Sequence, residues 1–356
     1  MSDFPIFRVG LTRDFLTSSG QLAMGDIGLA GLRHTGKVAY EFFREHLPEV
    51  SPEQISRFDA VISLVPRVSA NTLRGSDSKL SILARFGVGY DMVDVQALTD
   101  RDVILTITPD GVRRPMASGI VGLILALSLN IQAKDRLVRA GRWKDRLEIR
   151  ATGLTGRVVG SIGLGNIGKE VFRLLLPFEM IHLGCDPFVK AEEVSGLGVR
   201  LVDLETLMRE SDYACVNCPL NAETRGLIGE RELSWLKPTA YFINTSRGPL
   251  VNQSALYRLL KEHRIRGAAL DVFETEPLPS GDPLLELDNI LLTPHSLCWT
   301  DECFFRIGQS AVESVVAVLR GEVPRDVVNP EVLKHPGMVR KLEANRSLWF
   351  ASSEEK

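Results

Sequence analysis

A chain of 356 residues is long for one hydrophobic core, which points to two domains. With 44% apolar and 24% charged residues its composition is that of a folded globular protein, which argues against disorder. A formal net charge of −3 gives no electrostatic grip on phosphate polymers, so nucleic acid and anionic membrane are excluded as main partners.

The chain begins Met1-Ser2-Asp3-Phe4-Pro5-Ile6, with an early acid and no basic-then-apolar build, so no export signal is read there. The longest apolar run, Ile120 to Leu129, is about half a membrane span. Five cysteines, an odd number in a large chain, fit a reducing compartment. A soluble, cytoplasmic protein is expected.

In the first third, Val9–Leu11, Ala60–Val65, Ile82–Phe86 and Val103–Ile107 read as strands, with Lys37–His46 and Val93–Thr99 as helices between them. Next comes Pro109-Asp110-Gly111-Val112-Arg113-Arg114-Pro115, read as a hinge. The following Met116–Leu129 is apolar on nearly every face, so it reads as a helix buried on all sides and as part of a subunit interface.

From Gly153 to Pro294 short apolar runs alternate with helical patterns. The runs are Val158–Ile162, Ile181–Cys185, Tyr213–Val216, Tyr241–Asn244, Ala268–Val272 and Ile290–Leu292. Lys169–Leu176, Leu204–Glu210 and Ser254–Glu262 read as helices, the last capped by Asn252. This alternation predicts right-handed βαβ units and a doubly wound parallel sheet. Thr300–Arg320 reads as a helix ending at Gly321 that returns the chain to the first domain. The expected fold is therefore a Rossmann-type domain, residues 113–300, and a smaller, discontinuous α/β domain, residues 1–112 and 301–356. The tail Lys341–Lys356 is mostly polar, with its last few residues expected to be loose.

Gly163-Leu164-Gly165-Asn166-Ile167-Gly168 matches G-x-G-x-x-G, follows an apolar strand and opens a helix. Such glycines let the backbone approach a pyrophosphate, and the helix start offers free N–H groups to the anion. Asp186 ends the next strand, 18 residues after Gly168. Its carboxylate would accept from ribose hydroxyls and repel a 2′-phosphate, which favours NAD over NADP. Cys215-Val216-Asn217-Cys218 has C-x-x-C spacing, but strand residues three apart face opposite ways, so no metal is expected there.

Arg247, Glu276 and His295 each follow the carboxyl end of a later strand, where ligands bind in an open parallel sheet. Loss of hydride from an alcohol carbon requires its hydroxyl proton to leave, and an imidazole takes it near neutral pH. Glu276 would bond the far ring nitrogen, fix the tautomer and raise the imidazole pKa. Arg247 could hold a carboxylate in bidentate fashion.

These residues resemble the D-isomer-specific 2-hydroxyacid dehydrogenase family. The resemblance runs from Arg85 to Pro330 through Arg85-Phe86-Gly87-Val88-Gly89-Tyr90-Asp91, Gly156 to Gly168, Asn244-Thr245-Ser246-Arg247-Gly248, Asp271-Val272-Phe273-Glu274-Thr275-Glu276-Pro277 and Thr293-Pro294-His295. It implies a Rossmann-type domain beside a flavodoxin-like one, a site in the cleft between them, NAD as cofactor and a homodimer. It matches Arg247, Glu276 and His295 to the catalytic trio and Asp271 to the residue near the nicotinamide carboxamide. Val88 and Gly89 match the loop whose amides help hold the substrate carboxylate. Cys218, Pro219 and Thr224, around the adenine, and Thr245 complete the expected cofactor contacts.

There are departures. The segment Ser296-Leu297-Cys298-Trp299-Thr300 replaces the family's glycines, so Trp299 is expected to shape the substrate pocket. Ser118 and Asn130 stand where an acid and an arginine are usual. Arg67 is read either as an exposed arginine or as a contact for a second polar end of the substrate. No appended regulatory domain is read after Pro330. The expected function is reversible, NAD-linked oxidation of a small D-2-hydroxy acid. The alternatives are a relative acting on another small oxyacid, such as formate or phosphite, and an NADH-sensing binding protein of the co-repressor kind.

Overall fold

The structure, a computed structural model, describes residues 6–75 and 79–351. Met1–Pro5, most of the segment read for an export signal, and the expected loose end beyond residue 351 lie outside the described residues. The chain divides into two compact units, Met1–Val112 with Trp299–Lys356, and Arg113–Cys298.

The first unit holds strands β1 (Phe7–Leu11), β2 (Val38–Phe42), β3 (Ala60–Ser63), β4 (Ile82–Arg85) and β5 (Ile104–Thr106). They form one sheet in the order β2-β1-β3-β4-β5, every pair parallel. This is the flavodoxin-like order. Phe43, Phe58, Val61, Leu83, Leu98 and Leu105 are among the side chains that close one face of it. The helix Asp301–Leu319 also belongs to this unit; Thr300 caps it by accepting from Cys303 N–H at 3.1 Å, and Gly321 at φ +70° ends it.

The second unit holds β6 (Val158–Ile162), β7 (Ile181–Cys185), β8 (Val199–Leu201), β9 (Tyr213–Val216), β10 (Tyr241–Asn244), β11 (Gly267–Leu270) and β12 (Ile290–Leu292). The order β12-β11-β10-β9-β6-β7-β8 is again all parallel. The strands are apolar on both faces because helices cover both, the situation of a doubly wound sheet. The chain runs outward from β6 to β8 and then restarts on the other side of β6 with β9. That reversal opens a crevice at the carboxyl ends of β6 and β9, where such sheets take their ligands. Asn252 caps the helix Gln253–Lys261 as expected, its side chain accepting from Ala255 N–H at 2.9 Å.

Two expectations fail. Lys37–His46 is not a helix but contains β2, because Val38, Tyr40 and Phe42 recur with period two along an edge strand. The supposed hinge is the start of the helix Pro109–Ser128. Pro109 sits at its first position, where no N–H is needed, and Pro115 lies inside at the cost of one bond. That helix is buried within the chain along Met116, Ala117, Ile120, Leu123, Ile124 and Leu127, while Ser118 and Gly122, and Leu129 just beyond its end, are exposed on the chain taken alone. Among the described residues no single helix is long and apolar enough to cross a membrane.

Candidate active site

The glycine loop leaves β6 at the sheet's switch point. Gly163 has φ +97°, and a Cβ there would lie 2.6 Å from the Cys218 nitrogen; one on Gly168 would lie 2.4 Å from the Gly163 carbonyl oxygen. Both positions exclude a side chain because backbone meets backbone. A Cβ on Gly165 would meet nothing within 4 Å, so open space lies over the middle of the loop. The helix Asn166–Leu175 starts there, exposing Asn166 and half-burying Ile167, with no side-chain cap. Its first N–H groups therefore face a place where an anion fits.

Asp186, at the end of β7, accepts from Leu164 N–H at 2.8 Å with one oxygen and from Phe188 N–H at 2.9 Å with the other. It thus braces the glycine loop itself, and each oxygen keeps a lone pair for a ribose hydroxyl. On the far side of the switch point, Thr224 Oγ1 donates to the Pro219 carbonyl at 2.7 Å and closes the loop after β9. Burial pushes the Cys215 thiol up to about 12 and is the main cause that takes Cys218 up to about 11. Both are neutral packing groups. Among the described residues no three His, Cys, Asp or Glu side chains gather as a metal site.

Arg247 follows β10 on a turn clamped by Asn244, which is 1% exposed. The Asn244 amide donates to the Arg247 carbonyl at 2.9 Å and accepts from Ser246 N–H at 3.0 Å. Thr245, between them, is buried. The next residue brings two loops into contact: a Cβ on Gly248 would lie 1.9 Å from the carbonyl carbon and oxygen of Phe273. Only glycine allows the loop after β10 to lie directly on the loop after β11. The latter is pinned again by Gln253 and Glu274, each side chain accepting from the other's N–H, at 3.1 and 2.9 Å.

Within that second loop Glu276 accepts from Phe273 N–H at 2.9 Å, and its other oxygen lies 2.7 Å from His295 Nδ1. Burial raises the Glu276 carboxyl pKa. The His295 hydrogen bond, the Phe273 amide and the charges of His295 and Arg247 together outweigh it, leaving the group below its ordinary value. Glu276 is therefore ionised at neutral pH and can only accept, so His295 Nδ1 carries the proton. The carboxylate feels Arg247 as well as His295, which makes the three side chains one electrostatic group.

His295 itself has φ +52°, a left-handed backbone uncommon for any residue other than glycine. Asp271, fully buried at the end of β11, holds it. The Asp271 carboxylate accepts from Thr293 Oγ1 at 2.6 Å, Ser296 N–H at 3.0 Å and Leu297 N–H at 3.2 Å. Its oxygens bind the loop that carries the imidazole, a use its expected place beside the carboxamide does not suggest. In the sequence Asn244, Gly248 and Thr293 stand in the motifs that carry the resemblance but are given no role, and Gln253 is not named. Gln253 and Thr293 carry weak signals there, a polar residue beside the Asn252 cap and a hydroxyl beside Pro294.

The remaining expected residues belong to the first unit. Val88 and Gly89 are half-buried in the loop after β4. Trp299 is 52% exposed, its ring centre 5.6 Å from that of Phe304. Arg67 is exposed, and its backbone pairs with Pro48 and Val50 in an isolated bridge outside the strands.

Residues 121–296 match the model of the family described as D-isomer specific 2-hydroxyacid dehydrogenase, NAD binding domain. A glyoxylate reductase of Korarchaeum cryptofilum is 39% identical over 79% of this chain and 86% of that protein. A D-3-phosphoglycerate dehydrogenase of Methanocaldococcus jannaschii is also 39% identical, over 70% of this chain but 48% of that longer relative. Among solved structures, D-lactate dehydrogenase from Aquifex aeolicus, complexed with NAD and lactic acid, superposes with a TM-score of 0.76 at 26% identity. That match covers 88% of this chain and 96% of that one. The open glycine cradle and the uncapped helix suit the same dinucleotide. This chain belongs to the D-isomer specific 2-hydroxyacid dehydrogenases and is an NAD-dependent oxidoreductase of 2-hydroxy acids.

Proposed function

We propose that the protein interconverts a small 2-oxo acid and its D-2-hydroxy acid, with His295 as acid and base, Glu276 as its partner and Arg247 as the carboxylate anchor. The observation that carries this reading is the His295–Glu276 pair at 2.7 Å within reach of the Arg247 charge. Nδ1 is committed to Glu276, so Nε2 is the atom left to exchange a proton with the substrate oxygen. NAD(H) supplies or accepts the hydride. The first turn of the helix Asn166–Leu175 would hold its pyrophosphate, Asp186 its ribose, and Cys218, Pro219, Thr224 and Thr245 would line the rest.

By the family resemblance the amides of Val88 and Gly89 would help to hold the substrate carboxylate, and Trp299 would limit the substrate side chain. Relatives named glyoxylate reductase support a short 2-oxo acid. We place the enzyme in a reducing cytoplasm, which its five free thiols suit. It would act as a homodimer, since Leu129, Ile131, Val138, Trp143 and Leu147 leave an apolar surface exposed on one unit.

The test is NADH oxidation with a panel of 2-oxo acids from glyoxylate upward, with His295→Asn beside the wild type. Turnover confined to short 2-oxo acids and lost in the variant is expected. Tight NADH binding without turnover of any acid would replace this reading with a sensor.

A further inference from the structure

The loop Phe86–Gly89 is held from behind by a residue with no assigned part. Arg85, the last residue of β4, folds its guanidinium back under the loop. Its Nε donates to the Gly89 carbonyl at 2.9 Å, and Nη1 donates to the Phe86 carbonyl. The loop lies so close that a Cβ on Gly87, at φ +136°, would fall 3.2 Å from that Nη1. Thr108 holds the same loop from the other side. Its N–H donates to the Gly87 carbonyl at 3.0 Å, and its hydroxyl accepts from Gly87 N–H at 2.9 Å.

A peptide group is a rigid plane with its N–H and C=O pointing in opposite directions. Fixing the Gly87 carbonyl on Thr108 turns the Val88 N–H the other way. Fixing the Gly89 carbonyl on Arg85 sets the next plane but one. The Gly89 N–H belongs to the peptide between those two fixed planes. Neither Val88 N–H nor Gly89 N–H has a protein acceptor among the described residues. Two amides with preset directions over a half-buried cation are the equipment for one carboxylate, because the anion gains hydrogen bonds and charge without first ordering the loop.

We propose that Arg85 is a positioning residue for the substrate carboxylate, acting through the Val88 and Gly89 amides and never touching substrate itself. The inference rests on the reading that these amides take the carboxylate. A lysine keeps the charge at this position but not the planar fork that spans two carbonyls, so it restores only part of the effect.

The test compares wild type, Arg85→Gln and Arg85→Lys by steady-state kinetics on the best 2-oxo acid, by inhibition with oxamate, and by NADH titration. Expected for Arg85→Gln is a rise of roughly tenfold or more in both KM and the oxamate inhibition constant, a change equal to about 1.4 kcal/mol. Its kcat and NADH affinity stay near wild type, and Arg85→Lys falls between the two. An Arg85→Gln enzyme with unchanged KM and oxamate binding overturns the proposal, as does a parallel fall in kcat, NADH affinity and melting temperature, which marks a merely structural role. If Arg85→Gln does not fold, Arg85→Lys decides by the same KM-against-kcat split. A wild type that turns over no 2-oxo acid overturns the underlying reading and this inference with it, whereas an active wild type beside an unaffected variant overturns this inference alone.

Discussion

His295 Nδ1 and Glu276 Oε2 lie 2.7 Å apart, and the carboxylate is ionised in spite of the partial desolvation that raises its pKa. The pair sets the imidazole tautomer, and in the proposed function Nε2 is the atom that meets the substrate. Replacing His295 with Asn should lower kcat by roughly 10²- to 10⁴-fold while NADH affinity stays nearly unchanged. Stopped-flow kinetics with a fluorescence titration of NADH measures both; near-normal turnover would remove His295 from the chemistry.

Asp271 fixes the backbone on which His295 sits, through Thr293, Ser296 and Leu297. In Asp271→Asn one oxygen becomes an amide nitrogen that faces donors, so the loop loses acceptors it cannot replace. A stability loss of about 1–3 kcal/mol is expected, with kcat reduced more than KM. Chemical denaturation and kinetics on the same preparation test this. A variant with normal stability but weakened NADH binding would point instead to direct contact with the cofactor.

Gly248 lets the loop of Arg247 lie on the loop of Glu276. Gly248→Ala pushes those backbones apart, at a cost of about 1–3 kcal/mol. The expected signature is a loss in kcat/KM with dinucleotide binding retained, because the glycine loop lies on other strands. Equal loss of both would mean the damage spreads through the whole sheet.

His182 is buried in β7, stacked on Phe172 with ring centres 4.7 Å apart, and its Nε2 has no partner among the described residues. Burial lowers its pKa below 6.5, against a smaller opposing effect of the Leu197 carbonyl. The unfolded chain therefore takes up this proton first as the pH falls. The stability tied to the neutral ring is complete above the unfolded value and declines below it, toward the depressed folded value. His182→Gln, which can still donate to Leu197, should lose less stability than wild type when urea midpoints are compared between about pH 7.5 and pH 5. Identical slopes would show that other groups govern the acid side.

The central strands are legible in the sequence because a parallel strand covered on both faces must be a short unbroken apolar run. For β6, β7, β9 and β10, and for the apolar edge strand β12, the expected and observed limits coincide. The edge strands β2 and β8 lack that signal. The stretch around β2 reads as helix because Glu41, Arg44 and Glu45 interrupt its apolar residues, and in β8 Arg200 separates Val199 from Leu201. Proline and glycine around Pro109 suggest a break, yet the apolar face beyond them carries the helix through. In the site, residue types at strand ends are readable, since chemistry selects them. The bracing by Asn244, Gly248 and Gln253 is not, because it depends on approaches between segments far apart in the chain. The left-handed backbone of His295 is likewise not readable: it lies in a turn closed by His295 N–H on the Thr293 carbonyl at 3.1 Å, between residues that Asp271 binds from a different strand end.

Arg247, Glu276 and His295 grow from β10, β11 and β12, three adjacent strands of one sheet. The three groups proposed to hold the substrate and move its proton are thereby carried on the same sheet as the glycine cradle. Substitutions confined to the other unit leave the spacing of these groups as this sheet sets it.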